Sequence, residues 1–575
     1  MKRNLQLLTE SPYDLIVVGG GIFGACAAWD AASKGLRVAL LEKGDFSEAT
    51  SANHLKMIHG GIRYLQHADI PRIRESCRDR SALLRIAPHL SYPVPIAIPT
   101  YGHGIRGKEF LGAGFLLYDL LTCDRNRGIG DPDRRIPGAR FQTRREILEH
   151  FPGLNPVGLT GGAVFSDGQM YNPPRLALAF LKSAVDRGAS VQNYIEVTRF
   201  LRKGDRVIGV EAIDSLTGEK VHVRGTITLN AAGPWAHRLL YSGLGLHLEP
   251  KPVFSRDLGF LIRRPLTDSL GLACQMKSRD EDAILSRGGR HVFMVPWHGV
   301  TLVGCWHVVY EDSPDEITVD ESVLSACLAE INDYYPDFAL TLDDIAMVHT
   351  GLTLFSENES ASGDLSFGKR SLLVDHARMH GVDGLVTLVG VRATTAPGMA
   401  ARAVDLVFRR MARSPSSSRI GWTPIHGGAI TDFRSFMEKA IHGRSPLIPE
   451  NSVRSLVHNH GLNYQDVTRR CEEKSEWAET LGGSDVLKAE VVHAVRDEMA
   501  RKLSDVVFRR TDLGTAGDPG EEAIRACAEV MRKEIGWTED RTQDEIGQVD
   551  TIFRQRGRVK VYRHAPVTGS TSGIG

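Results

Sequence analysis

Between Ser51 and Leu65 the chain reads SANHLKMIHGGIRYL, which gathers Asn53, His54, Lys56, His59 and Arg63 around the pair Gly60-Gly61. Side chains of these types can do chemistry together. An imidazole with its ordinary pKa of about 6.5 takes up a proton near neutral pH. An ammonium or guanidinium steadies negative charge, and two glycines let backbone come close to whatever lies above it. Such a segment is either a solvated surface loop or a floor laid against a ligand, and the elements around it decide which.

Upstream, the apolar run YDLIVV (Tyr13 to Val18) leads into Gly19-Gly20-Gly21-Ile22-Phe23-Gly24, then an alanine-rich stretch to Ser33, then Gly35 and a second run, LRVALLEKGD. The pattern predicts strand, tight turn, helix and strand within about 30 residues, the size of a dinucleotide-binding βαβ unit. Gly19, Gly21 and Gly24 satisfy G-x-G-x-x-G: the first permits the turn, the second admits a pyrophosphate close to backbone, and the third lets helix and strand pack. The helix N-terminus then faces the anion. Glu42 closes the second strand 23 residues after Gly19, near the spacing at which an acid accepts hydrogen bonds from a ribose.

Further along, LALAFLKSAVDRGASV has a helical pattern, and the segment from Val207 to Trp235 reads as a hairpin around Leu216-Thr217-Gly218 that ends in a small-residue turn. Residues 250–375 alternate short strands with a helix near Glu321 to Tyr334. At about 390, LVTLVGVRATTAPGMAARAVDLVFRRMAR repeats the plan of strand, glycine turn and helix, so the chain is expected to return to one sheet and close around one ligand. SPSSS at 414–418 is a linker, followed by amphipathic runs such as DVLKAEVVHAVRDEMARKLSDVVFRRT that predict a separate helical domain. The last residues, PVTGSTSGIG, are too poor in apolar mass to fold and are expected to be disordered.

Composition narrows the function classes. A hydrophobic content of 42% with 24% charged residues is that of a soluble globular protein, and no stretch reaches the roughly 20 apolar residues of a membrane-spanning helix. The 70 basic and 70 acidic side chains cancel, so nucleic acid is not an expected partner. Eight scattered cysteines without a C-x-x-C argue against a zinc site or a disulfide framework, and no metal is expected. A reducing cytoplasm fits best. The start, MKRNLQLLTESPYD, lacks the apolar core of a secretion signal.

A βαβ unit, a polar segment, a long insertion and a late return to the nucleotide sheet is how flavin enzymes are commonly built. The motifs GGGIFGA, EKGDFSEATS, KMIHGGIRYLQ, APHL, LNAAGPW, MVPW and VRATT, with AEVVHAVRDEMARKLSDVVFRRT near the end, resemble the FAD-dependent glycerol-3-phosphate dehydrogenases from about Asp14 to Arg554. The resemblance implies an α/β fold with a Rossmann-like FAD-binding domain of the glutathione-reductase and D-amino-acid-oxidase type, an α+β substrate domain and an all-helical C-terminal cap. On that reading residues 1–413 form the oxidoreductase region. Its FAD-binding domain spans about 13–100, 150–250 and 340–413, and the substrate domain is interleaved at about 100–150 and 250–340. Residues 414–565 form the cap and 566–575 the tail. The implied activity, in glycerol metabolism, is hydride transfer from a secondary alcohol of a small anionic substrate to FAD, with electrons passed to quinone or oxygen.

Carried across by position, the FAD contacts are Gly19, Gly21, Ile22, Phe23, Gly24, Glu42 and Lys43, then Thr50 and Ser51 beside the pyrophosphate or ribityl chain. Lys56, His59, Gly60 and Gly61 run under the flavin ring, Val197 meets the adenine side, and Ala232, Gly233, Gly390, Arg392, Thr394 and Thr395 complete the set. His59 is the expected proton acceptor, Lys56 the group that steadies charge on the reduced flavin, and Arg392 the anion clamp. His54, His298 and His307 are weaker candidates with structural roles.

The departures from the family fall in the substrate region. Thr353 in TGLTLF stands where an arginine that holds substrate phosphate is usual. GVRATTAP replaces G-G-K-x-T-T-Y-R, so Arg392 stands for the lysine and Ala396 and Pro397 for the tyrosine and arginine. Gly304-Cys305-Trp306-His307 replaces G-T-T-D. The reading is unchanged redox chemistry on a changed substrate, with Trp306 and His307 making room for or stacking on something bulkier. Residues 105–127, an apolar run between basic clusters, read either as a helix in a membrane interface on the inner face of the cytoplasmic membrane or as a core helix with exposed ends. A homodimer is a further expectation. The competing readings are an amine or amino-acid oxidase and a flavoprotein that binds FAD without turnover.

Overall fold

The computed structural model describes residues 1–104, 107–248, 252–279, 289–355 and 370–557. The expected tail at 566–575 lies outside the described residues, as do 558–565 of the cap and Ile105 and Arg106 of the apolar-basic segment.

The glycine turn springs from the middle of the first sheet. Tyr13–Val18 pairs in parallel with Val38–Leu41 on one side and Lys220–Asn230 on the other. The main path of the sheet runs Leu372–Asp375, Leu385–Val389, Lys220–Asn230, Tyr13–Val18, Val38–Leu41, Ser190–Gln192. A parallel strand with neighbours on both edges and cover on both faces must be apolar throughout, and YDLIVV is buried everywhere except at Asp14. Helix Ile22–Ser33 follows the turn. Its alanines let it pack closely against Pro173–Val185 and Ala396–Arg410, so 10 of its 12 residues are buried. Gly24 is forced by this packing, because a Cβ there would lie 1.9 Å from the Gly19 carbonyl oxygen.

The expected second unit returns to the same sheet: Leu385–Val389 pairs in parallel with Lys220–Asn230, and Ala396–Arg410 covers it. The hairpin around Leu216-Thr217-Gly218 joins Arg206–Asp214 to Lys220–Asn230. A second sheet follows the order Ile345–Leu354, Phe254–Ile262, Val300–Tyr310, Gly289–Trp297, Gly271–Arg279, Ser91–Tyr101, Leu159–Met170, Met57–Ile58. It is antiparallel apart from the pairing of Gly271–Arg279 with Ser91–Tyr101. Four of its strands (Met57–Ile58, Ser91–Tyr101, Leu159–Met170 and Ile345–Leu354) lie wholly or mostly outside the intervals 100–150 and 250–340. Helices Arg144–His150 and Glu321–Tyr334 pack on one face of this sheet.

Beyond the linker, whose Ser418 hydroxyl donates to Asp30 (2.5 Å), helices from Phe433–His442 to Glu539–Gln555 form the C-terminal region. The long run DVLKAEVVHAVRDEMARKLSDVVFRRT is broken after Lys488–Asp497, where Met499 takes a left-handed φ of 59°. It restarts at Leu503–Asp505, because the Asp505 carboxylate accepts the N–H groups of Arg501 (2.7 Å) and Lys502 (2.9 Å).

The wide turn Val506–Arg510 then sets two consecutive arginines on buried Asp45, three residues after Glu42. Arg509 Nε donates to it at 2.6 Å and Arg510 Nη1 and Nη2 at 2.7 Å each. Burial alone would raise the Asp45 carboxyl, but the two guanidiniums hold it well below the usual carboxylate range. Breaking a buried pair of this kind costs about 3–5 kcal/mol, so the helical region is fastened to the first sheet.

Candidate functional site

One cavity of about 1020 Å³ runs between the two sheets. Its lining includes Gly19, Gly21, Ile22 and Phe23 of the glycine turn, Glu42 and Lys43, Thr50 and Ser51, Val197, Ala232 and Gly233 at one end. At the other it includes His59, Gly61, Arg392 and Thr394, with Gly390 between the two, where a Cβ would lie 2.0 Å from the Phe23 ring. The two glycine-bearing stretches, 19–24 and 59–61, therefore face one space.

At the first end the groups are held by backbone. The Glu42 carboxylate accepts the N–H of Gly20 (2.5 Å) and of Gly44 (3.0 Å). Burial raises its pKa while those two N–H groups oppose the rise. Ser51 Oγ accepts the Ile22 N–H at the start of helix Ile22–Ser33 (2.9 Å). The Thr50 hydroxyl accepts the Leu352 N–H (3.0 Å) and donates to the Leu352 carbonyl (3.1 Å), which ties this loop to the second sheet. At the rim Lys43 lies 3.8 Å above the Trp235 ring, and Lys43, Trp235 and Arg238 all meet Asp315.

At the second end an acid that the sequence reading missed positions His59. Asp167 Oδ2 lies 3.3 Å from His59 Nδ1. Its Oδ1 accepts from Gly60 N–H (2.7 Å), Arg80 Nη1 (2.7 Å) and Gly168 N–H (3.2 Å). Burial pushes the Asp167 pKa up, yet Arg80 and His59 outweigh it and the net shift is downward. A carboxylate only accepts, so His59 Nδ1 carries its hydrogen toward Asp167 and Nε2 is left as the basic nitrogen. The His59 N–H donates to Thr394 Oγ1 (3.0 Å), fixing the loop against the late glycine turn.

Several expected contacts fall elsewhere. Lys56 lies outside this cavity: it takes a left-handed φ of 58°, is 1% exposed, and its Nζ donates to the carbonyls of Ala52 (3.2 Å) and His54 (2.9 Å). The left-handed turn sends the amine behind the loop, 5.2 Å above Trp297. Gly60 is bare for the protein's own sake, since a Cβ there would lie 2.0 Å from Arg80 Nη1 and 2.4 Å from the Tyr118 hydroxyl. Gly24 packs against the glycine turn, and buried Thr395 donates its hydroxyl to the Arg392 carbonyl (3.1 Å). His54 lines the cavity, its Nδ1 accepting the Lys56 N–H (2.9 Å), with burial holding its pKa down at about 3. His298 Nε2 contacts the Tyr171 carbonyl at 2.9 Å.

Several residues expected from the sequence in the substrate region form a network of side chains. Thr353 donates its hydroxyl to Asp257 Oδ2 (2.8 Å), and Asp257 Oδ1 meets Ser255 Oγ (2.8 Å) and His307 Nδ1 (2.6 Å). Asp257, Cys305, His307 and Thr353 line the cavity, as do Arg63 and His291. Trp306 does not. Strand alternation turns it to the opposite face, where it stacks on Phe260 at 5.5 Å and donates to Glu330 (3.0 Å). Arg392 Nη1 donates to Ser76 (2.8 Å), its Nη2 lies 3.7 Å from Glu75, and its guanidinium sits 4.9 Å from the Tyr64 ring centre.

Asp167, Arg80 and Asp257 carried only a weak signal: Asp167 is a lone acid in a buried strand, and Arg80 and Asp257 sit beside other charged residues, Asp79 and Arg256, from which nothing local distinguishes them. The site fits the FAD that the resemblance implies: its volume is at the upper end for ligand pockets, a strand-end carboxylate and a helix N-terminus face it together, and backbone of the 59–61 segment floors the far end.

Comparison with known proteins agrees with this fold. Residues 14–406 match the family model of the FAD dependent oxidoreductases, and residues 422–542 match the C-terminal domain of alpha-glycerophosphate oxidase. A glycerol-3-phosphate dehydrogenase of Synechocystis sp. is 30% identical over 567 residues, covering 96% of this chain and 98% of that protein. The mitochondrial glycerol-3-phosphate dehydrogenase of Homo sapiens is 28% identical over 591 residues, covering 95% of this chain and 74% of that protein. The glycerol-3-phosphate dehydrogenase from Bacillus halodurans complexed with FAD superposes with a TM-score of 0.75 at 23% identity over 98% of both chains, a likeness of fold.

Proposed function

Because the chain belongs to the FAD-dependent oxidoreductase family, we propose that it oxidises a secondary alcohol of a small anionic substrate, with glycerol 3-phosphate, after which its relatives are named, as the first candidate. When bound, FAD supplies the two-electron acceptor. The observation that carries the reading is the single cavity that holds the glycine turn at one end and the His59–Asp167 pair at the other.

The chain's own residues divide the work. Glu42, the turn 19–24, Thr50, Ser51, Val197, Ala232, Gly233, Gly390 and Thr394 hold the cofactor, so the first sheet with its helices is the cofactor domain and the second sheet the substrate domain. His59 Nε2 accepts the hydroxyl proton, and Asp167 keeps Nδ1 protonated and steadies the imidazolium that results. Arg392 and Arg63 line the region where an anionic group would sit, while Thr353 offers no charge there. The match of 422–542 to the alpha-glycerophosphate oxidase domain supports this reading over an amine oxidase.

With FAD bound, quinone or oxygen would serve as the final electron acceptor. For location, no described helix is long and apolar enough to cross a membrane. Helix Lys108–Leu121 exposes Leu116 (75%), Leu117 (46%) and Leu120 (70%), beside Phe141 (50%). This runs against the core-helix reading and supports contact with a membrane interface.

The test is anaerobic mixing of the FAD-loaded protein with glycerol 3-phosphate. Bleaching of the flavin absorbance is expected with wild type, together with a much slower loss in His59→Gln. A flavin that stays oxidised with glycerol 3-phosphate and with every other polyol phosphate would overturn the reading.

A further inference from the structure

A second, small cavity of about 30 Å³ lies behind the 48–56 loop, where that loop meets the C-terminal helices. Its lining includes Lys56, His349, Arg509, Arg556 and Glu48, and Glu48, Asn53 and Arg556 also border the large cavity. A void of this size holds one water or one small ion.

The charges around it do not balance. Arg509 and Arg510 are matched by Asp45 and Asp505. Lys56 has no ion pair among the described residues, and its amine reaches only two carbonyls, so one of its three N–H groups has no acceptor there. Arg556 likewise forms no ion pair among the described residues and rests 5.5 Å from the centre of the Phe508 ring. The remaining acid, Glu48, lies 4.0 Å from Arg509 and is half exposed. Among the described residues, Lys56 and Arg556 against Glu48 leave a surplus of one positive charge. His349 is buried, and neither of its ring nitrogens has a hydrogen-bond partner among the described residues. Burial, with cationic neighbours, pushes Lys56 and His349 down and Arg556 to about 10, and Glu48 opposes the shift of Arg556 only in part.

We propose that this cavity binds a single small monovalent anion of halide size, held by Lys56, Arg556 and a ring N–H of His349. Donors converge on it from the 48–56 loop, from strand Ile345–Leu354 and from the end of helix Glu539–Gln555, so the anion ties the C-terminal region to the loop that brings Thr50 and Ser51 to the cofactor cavity. The size of the void and the surplus charge of one select a monovalent ion over phosphate or sulfate.

The test uses bromide as the probe on FAD-loaded full-length protein. The expected results are an anomalous-scattering peak in the small cavity of bromide-soaked crystals and a saturable rise in unfolding temperature with sodium bromide or chloride. Sodium gluconate at equal ionic strength, too large to enter, should give no such rise. Arg556→Met and, independently, His349→Phe should each lose both signals, and Arg554→Ala, on the same helix but exposed, should keep them. Absence of the peak at saturating bromide, with water or a deprotonated lysine balancing the site, overturns the proposal. So does a peak without a saturable thermal effect, which would mark an adventitious ion only.

Discussion

The two ends of the large cavity are built from different materials. At the glycine-turn end the ligand-facing groups are backbone N–H donors, a helix terminus and one carboxylate clamped by two amides. At the other end the wall is a web of side chains, Ser255, Asp257, His307 and Thr353, each held by another. Backbone-built sites admit few alternative sequences, because the turn needs its glycines whatever else changes. Side-chain networks can be rewritten together while the strands beneath them stay put. On the proposed reading, this is why the cofactor end of the chain carries the motifs by which it resembles the family while the expected substrate wall departs from them.

The contrast can be broken or sharpened by substitution. The largest effect is expected for Gly24→Val, whose side chain would collide with the Gly19 carbonyl: the protein should purify without bound flavin, read as loss of visible absorbance. Next, His59→Gln should keep the flavin spectrum while kcat falls by about 10²- to 10⁴-fold. Loss of colour in that variant would mean that the two ends are not separable. Arg392→Ala should raise KM for an anionic substrate by about 10- to 100-fold, the worth of one charge-assisted hydrogen bond of roughly 1.5–3 kcal/mol, with kcat little changed. Smallest, Thr353→Arg should lower KM for glycerol 3-phosphate by about tenfold, since Asp257 stands ready to orient a guanidinium at that position. An unchanged KM there would show that the wall does not read the phosphate.

What could be read in advance follows the same division. YDLIVV, the glycine turn, Glu42 and the late return at Leu385–Val389 were legible because a buried parallel strand and a tight turn restrict residue type locally. Lys56 was misplaced because its left-handed backbone, which local pattern does not announce, turns the amine away from the cavity. Gly60 looked like ligand clearance and is instead clearance for Arg80 and Tyr118, two side chains supplied by distant helices. Asp167 and Asp257 gain their partners only when strands far apart in the chain are brought together. Trp306 was assigned the wrong face because one residue of strand register inverts it.

The clasp of Arg509 and Arg510 on Asp45 joins residues 464 positions apart. A ribosome adding about 5–20 residues per second needs roughly half a minute to a minute and a half to cover that distance. Throughout that interval the emerging N-terminal half carries a carboxylate whose counterions have yet to be made. The nucleotide-binding half therefore reaches its final form only after translation is nearly over, and a premature stop before residue 509 should yield a product that chaperones and proteases recognise as unfinished.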